Sequence, residues 1–327
     1  MLLQSKQEYK IANNIDKEFY SFISFIKKTE ISGMENIMKR CLILLKQQNI
    51  NLYEVVLNCY NELKYWGALM PENNVYELLA NRALTLKNNW ENIVWLYNCL
   101  EDYRSKKCLH GIISHWVTFD AKKLDEIRDH TYKHYFDLDI INCDENEIFV
   151  DLGAYTGDTI IDYISTYSNY KKIYCYEIVP KIFENLKENL KKFNNIEFRQ
   201  KGAYASNGCM RISDTEPCDS MHKLSDAGQM KIPTVSIDED IQESITFVKM
   251  DIEGGEQDAL RGCKNHIQAD CPKLAISIYH NHEDIWKCAA IINEIIKGYK
   301  FYIRYYGGNV YPSEYVLLAV HEKYLSR

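Results

Sequence analysis

Residues 248–260 read VKMDIEGGEQDAL: a short apolar run closes in Asp251 and Glu253, followed by two glycines, Glu256 and Asp258. Carboxylates gathered at a strand end can do three things. They can take a proton from a reacting group, hold a hard cation through oxygen, or open a helix whose N-terminal dipole favours negative charge. Asp251 and Glu253 suit the first two roles, while Glu256 and Asp258, one turn on, suit the third. Beyond the next apolar run stands His280, whose ordinary titration near neutrality suits a general base. Lys249, inside the strand-like run, could bind an anionic group or pair with an acid.

A second group of residues lies about a hundred positions earlier. The run EIFVDLG leads into DLGAYTGDT, Asp151 to Thr159. Gly153 and Gly157 permit a tight turn and close approach of a ligand to bare backbone. Their spacing is G-x-x-x-G, not the G-x-G-x-x-G that wraps a pyrophosphate. Asp151 at the strand end could receive an ammonium group. The next strand-like run, KIYCYE, ends in Glu177, a place where an acid accepts the hydroxyls of a ribose. A nucleoside bearing an amino acid and no phosphate fits both signals, and S-adenosylmethionine is such a molecule.

These residues need elements to hold them. From about residue 145, apolar strand-like runs alternate with amphipathic stretches. The order is EIFVDLG, DTIIDYISTY, KIYCYE, PKIFENLKENLKKF, IEFRQKGAYA, TFVKMDIEG, EQDALRGCKNHIQAD, KLAISIYH, DIWKCAAIINEIIKG, YKFYIRYY and EYVLLAV. Alternation of this kind predicts a doubly wound α/β sheet, here ending in an antiparallel hairpin around GGNVYPS. Ligands then bind beyond the strands' carboxyl ends. The first 140 residues read as helix, with apolar positions at Phe19, Phe22, Ile23, Phe25 and Ile26, at Leu42, Leu44 and Leu45, and at Tyr53, Val56, Leu57 and Tyr60. Pro71 interrupts them once. The division is a helical domain over 1–140, for substrate docking or oligomerisation, and a ligand-binding domain over 141–327. The stretch from Ser206 to Thr234 is irregular, and its Met221, His222 and Lys223 are expected to border the acceptor.

Composition excludes several classes. The 327 residues carry a net charge of -7, which argues against a general nucleic-acid binder. Eleven cysteines occur without a CxxC pair, the pattern of reduced thiols in a cytoplasmic protein. No signal-like start and no run long enough for a membrane span is found. The missing pyrophosphate turn disfavours a dehydrogenase.

FVDLGAYTGDT, the Tyr176–Glu177 pair, KGAYAS, VKMDIEGGEQDALRG and LAISIYHNHEDIW, in this order, resemble the FkbM family. That family comprises S-adenosylmethionine-dependent methyltransferases acting mostly on oxygen, with the class I Rossmann-like fold. The resemblance covers about residues 145–320 and leaves the helical region outside. It implies that Asp151, Gly153, Ala154, Tyr155 and Gly157, with Thr159 and Asp251 nearby, line the methionine part of the cofactor. Glu177 would hold the ribose, Ile178 would face the adenine, and Gly202 and Ala203 would lie at its edge. His280, Asp251, Glu253 and Lys249 remain the candidates for chemistry. Many relatives have Arg-His where this chain has Arg304 and Tyr305, so a role for that histidine has no counterpart here. Related macrolide sugar O-methyltransferases use magnesium. Two acids alone do not make its octahedral site, so magnesium is not expected and no metal ligand is assigned.

The expected activity is methyl transfer to a sugar or surface-glycan hydroxyl in the cytoplasm, the partner being a small or glycan-linked acceptor. N-methylation of an amino acid or amino sugar is the enzymatic alternative. Base methylation is disfavoured because DIEGG stands where a [DNS]PP[YFW] loop would be. A non-catalytic scaffold built on the same fold, with the helical region as partner or homo-oligomer module, is the alternative of another class.

Overall fold

The computed structural model describes residues 11–63, 65–212, 224–225 and 230–324. Met221, His222 and Lys223, expected beside the acceptor, lie outside the described residues.

Seven strands form the main sheet: β1 (Ile148–Leu152), β2 (Lys172–Tyr176), β3 (Ile196–Arg199), β4 (Phe247–Met250), β5 (Lys273–Ser277), β6 (Tyr299–Tyr305) and β7 (Tyr315–His321). Their spatial order is β6-β7-β5-β4-β1-β2-β3. Neighbours from β5 to β3 run parallel, and β7 lies antiparallel between β5 and β6. The expected terminal hairpin is thus present, with β7 tucked inside the edge strand β6. Every residue of β1, β4 and β5 is buried, because helices cover both faces of these central strands. That is why their sequences read as continuous apolar runs. The strand order reverses between β1 and β4, and ligands bind at such a switch point.

The helices are α1 (Asn14–Lys28), α2 (Ile31–Gln48), α3 (Ile50–Leu63), α4 (Glu77–Cys99), α5 (Tyr103–Thr118), α6 (Ala121–Asp125), α7 (Asp158–Tyr167), α8 (Pro180–Leu190), α9 (Ile237–Asp240), α10 (Glu256–Gly262), α11 (Lys264–Ala269) and α12 (Asp284–Ile295). Helix α5 packs against α1, α2 and β6. It is buried on nearly all sides from Cys108 to Val117. One apolar cluster runs from Phe19 in α1 through Trp116 in α5 to Val248, Ile276 and Leu317 in the sheet. The helical region and the sheet therefore share a core. Arg304 in β6 joins them by charge, with Nε 2.6 Å from Asp137 Oδ2 and Nη2 2.7 Å from Asp102 Oδ2, the N-cap of α5.

Four local readings differ from the sequence expectation. Regular helix stops at Asp125, and residues 126–147 cross to β1 as loop. The segment IEFRQKGAYA divides: β3 ends at Arg199, and Gly202–Ala203 pairs instead with Thr234–Val235. The irregular stretch then contains strand pairing, Gly208–Ile212 against Met230–Val235. Leu44 points outward, while Leu42 is buried. Among the described residues no helix is long and apolar enough to cross a membrane.

Candidate active site

A cavity of about 860 Å³ opens beyond the carboxyl ends of β1, β2, β4 and β5. At the end of β1 the chain turns through Gly153 with φ +80°, and a Cβ there would fall 1.8 Å from the Asp251 carbonyl oxygen. Only glycine lets the two strand ends approach this closely. Its N–H and that of Ala154 both donate to the Tyr176 carbonyl, at 3.0 and 2.9 Å. The turn is thereby locked to the end of β2.

Glu177 follows. Its Oε2 accepts from the Tyr155 N–H at 3.1 Å and its Oε1 from the Val179 N–H at 2.8 Å. Burial pushes its carboxyl above the usual range, against those backbone donors. Each carboxylate oxygen has two lone pairs, so both retain capacity toward the cavity, which Glu177 lines.

Gly153, Tyr155, Thr159, Glu177, Ile178, Gly202, Ala203 and Asp251 all line this cavity. Three other cofactor candidates do not. Asp151 is fully buried, with Oδ1 2.9 Å from Lys249 Nζ. Those two residues stand opposite each other in the β1–β4 register. The ammonium that Asp151 was expected to receive from a ligand is supplied by the chain itself. Ala154 packs with Ile160 and Phe183 in the second apolar cluster. Gly157 turns toward Leu186 and Leu190 of α8.

Lys249 reaches the cavity wall, but its ammonium also donates to the Gly153 carbonyl at 2.7 Å. Burial would lower its pKa, and Asp151 and Asp251 outweigh that and raise it. It is a fixed internal cation tying β4 to the β1 turn.

Beside it, Asp251 Oδ2 accepts from the Tyr135 hydroxyl at 2.6 Å. Burial works against its charge, yet His280, Lys249 and Tyr135 hold its carboxyl below the ordinary range. Glu253 sits in left-handed backbone, φ 57°, and its Oε2 accepts from the Tyr65 hydroxyl at 2.8 Å. Burial foremost pushes its carboxyl up to about 7.

His280 lies behind this pair, away from the cavity, and only 2% of its surface is exposed. Nε2 is 3.3 Å from Asp251 Oδ1 and 3.7 Å from Glu253 Oε2, and Nδ1 is 2.9 Å from Glu256 Oε1. Burial favours a neutral ring, but Glu256, Asp251 and Glu253 overcome it and push His280 up to about 10. The role of free base assigned to His280 is corrected on two grounds. An imidazolium has no lone pair to accept a proton, and the ring does not face the acceptor space.

Glu256 starts α10 as expected and has a further contact. It is fully buried, and its Oε1 accepts the Ile252 N–H at 2.9 Å. Asp258 keeps the plainer role, half-buried and 3.2 Å from Arg261 one turn on.

Sequence reasoning missed Tyr65, His134, Tyr135, Tyr279 and Glu314, which line the same cavity. Glu314 is pushed up to about 7, by burial first and then by the Asp251 charge. Among the described residues nine non-glycine positions have positive φ, and Tyr135, Tyr155, Glu253 and Glu314 of these line the cavity. Strained backbone concentrates where a site over-determines its side chains. The one signal that could have pointed to Tyr135 is the loss of helical periodicity after residue 125. Arg304 and Tyr305 face elsewhere, Arg304 into its ion network and Tyr305 onto the Tyr311 carbonyl at 3.2 Å.

Residues 151–305 match the family model of the methyltransferase FkbM domain. Over these residues the chain carries a match to the methyltransferase FkbM domain, just under half of its length. A crystal structure of the methyltransferase FkbM from Methylobacillus flagellatus is similar, with a TM-score of 0.63 and 22% identity, over 73% of this chain and 61% of that one. The chain thus spans about three-fifths of that protein's length. An rRNA methylase from Streptococcus thermophilus is similar at a TM-score of 0.37 and 13% identity, over 54% of this chain and 88% of that one. Fibrillarin from Aeropyrum pernix, with S-adenosylmethionine bound, is similar at 0.35 and 13%, over 55% and 70%. No curated protein matches the chain. The FkbM domain has the methyltransferase fold, and its matched residues include Glu177, Asp251, Glu253 and His280.

Proposed function

We propose that this chain transfers a methyl group from S-adenosylmethionine to a hydroxyl of a sugar or glycan-linked acceptor. One observation carries the reading. Glu177, fixed by two backbone N–H groups, and the Asp251–Glu253 pair open onto one cavity from the ends of neighbouring strands.

When bound, the cofactor supplies an activated methyl group on a sulfonium, already furnished with its leaving group. The chain's task is to place and desolvate the acceptor. Glu177 accepts the ribose hydroxyls, Ile178 packs against the adenine, and the bare backbone at Gly153 borders the methionine part. Asp151 acts through Lys249, holding the β1 turn rather than touching the ligand. Asp251 and Glu253 orient the acceptor hydroxyl and receive its proton as the carbon–oxygen bond forms. Tyr65, from the helical region, fixes the Glu253 carboxylate. The helical region therefore completes the acceptor wall, consistent with a docking role.

A second reading has its own support. The acceptor wall combines Asp251, Glu253 and Glu314 with Tyr65, Tyr135 and Tyr279. Carboxylates among aromatic rings suit a cationic amine, which favours N-methylation of an amino sugar or amino acid.

Calorimetric titration with S-adenosylhomocysteine tests the cofactor half, and binding to the wild-type chain is expected. Absence of binding overturns the proposal. Mass analysis of neutral and amino-bearing sugar nucleotides incubated with the methyl donor separates the two readings.

A further inference from the structure

We propose that Asp251, Glu253 and His280 bind one divalent first-row metal ion, with Glu256 as the outer partner of the histidine.

Three donor atoms converge. Asp251, Glu253 and His280 each offer one ligand atom, and all three atoms lie within 4.8 Å of one another. From His280 Nε2 the carboxylate oxygens are 3.3 and 3.7 Å away. With bonds of about 2.0–2.2 Å, two ligand atoms on one ion stand roughly 3–4 Å apart. The side chains are already near the spacing that an ion would impose.

The second, independent observation is the histidine. It is sealed from solvent, and its Nε2 makes no hydrogen bond. A buried polar atom left in that state costs about 1–3 kcal/mol. Nε2 is turned into the space between the two carboxylates, where a metal ion would displace the ring proton to solvent and take the freed lone pair.

The surroundings match a metal site's outer partners. A ligating histidine commonly gives its other ring N–H to a carboxylate, which fixes the tautomer and the ring's orientation. Glu256 stands at that position, 2.9 Å from Nδ1, and is itself held by the Ile252 N–H. The ligating carboxylates are supported in the same way, Asp251 by Tyr135 and Glu253 by Tyr65.

Charge points the same way. Three carboxylates surround one imidazole, and the nearest ammonium, Lys249, is committed to Asp151 and the Gly153 carbonyl. A divalent ion offsets the excess. Imidazole nitrogen with two carboxylate oxygens suits Mn²⁺, Fe²⁺ or Zn²⁺ better than the all-oxygen preference of Mg²⁺ or Ca²⁺. Because Asp251 and Glu253 line the cavity, the ion's remaining positions would be open to an acceptor oxygen. Binding of the ion does not depend on the identity of the methyl donor.

The probe is Mn²⁺ alone, added to the full chain. Electron paramagnetic resonance is expected to show one bound ion per chain, and spin-echo modulation is expected to show one imidazole nitrogen on it. Glu256→Gln should weaken Mn²⁺ binding about 10–100-fold, and Glu253→Gln and His280→Gln at least as much, with far-UV circular dichroism confirming folded variants. The wild-type spin-echo result stands even where a variant does not fold. No binding at millimolar Mn²⁺, bound Mn²⁺ without nitrogen coupling, or unchanged affinity in folded Glu253→Gln would each overturn the proposal.

Discussion

Glu256 Oε1 stands 2.9 Å from His280 Nδ1, and both side chains are closed to solvent. The acid begins α10 and the histidine follows β5, so their contact links the turns after two neighbouring strands. Breaking it would leave a buried charge without its partner, which is costly in a low-dielectric interior. The site's behaviour should therefore be sensitive to residues that never touch a ligand.

Glu177→Ala is expected to weaken S-adenosylhomocysteine binding by about 10–100-fold. Hydrogen bonds to a charged group contribute about 1.5–3 kcal/mol, and the carboxylate that would accept the ribose hydroxyls is lost. Calorimetry of the two proteins side by side measures the ratio, and equal affinities would remove Glu177 from the cofactor site.

Gly153→Ala is expected to destabilise the protein by more than about 1 kcal/mol and to abolish cofactor binding. The added Cβ would lie 1.8 Å from the Asp251 carbonyl oxygen, in a backbone with φ +80°. Neither the strand end nor the turn can yield without moving the other. Thermal unfolding together with the binding titration checks both parts, and a wild-type midpoint would contradict the geometry.

Arg304→Met is expected to cost about 3–5 kcal/mol, the range for removing one partner of a buried ion pair. It leaves Asp137 fully buried and without its guanidinium at 2.6 Å. Adding Asp137→Leu should recover part of the loss, because the uncompensated charge goes with it. Urea unfolding of the single and double variants measures this.

His115 gives a pH signature. Burial first, and then the Arg82 charge, lowers its pKa to about 3, whereas in the unfolded chain it titrates near 6.5. Below pH 6.5 the unfolded chain takes up a proton that the folded chain refuses, so stability falls as pH falls. Relative to His115→Gln, the wild type should lose roughly 1.5 kcal/mol between pH 6.5 and pH 5. Urea midpoints at the two pH values test it, and a constant difference would mean that the histidine is not buried neutral.

Much of the fold and half of the site could be read in advance because the signals are local. A Gly turn after an apolar run, an acid ending the next run, and a carboxylate pair ending the fourth run each stand within a few residues of a strand's carboxyl end. Strand direction alone then places Gly153, Glu177, Asp251 and Glu253 on one side of the sheet. Tyr65 and Tyr135 carried no such signal. One follows a helix far upstream and the other sits in a loop, and only packing of the helical region onto the sheet brings their hydroxyls to Glu253 and Asp251. The split of IEFRQKGAYA was equally hidden, because Gly202–Ala203 takes its partner from Thr234–Val235.

By itself, the sequence determined the alternation of strands and helices, the doubly wound sheet, and the identity of the residues at its strand ends, since all of these follow from periodicity and turn chemistry. Tertiary structure alone decided what those residues meet. Strand register gave Asp151 the ammonium of Lys249 rather than that of a ligand. Burial together with three surrounding carboxylates turned His280 from a candidate base into a held cation, and it made Glu256 that cation's partner. Protonation and pairing depend on distances between segments far apart in the chain, and those distances exist only once the sheet has formed.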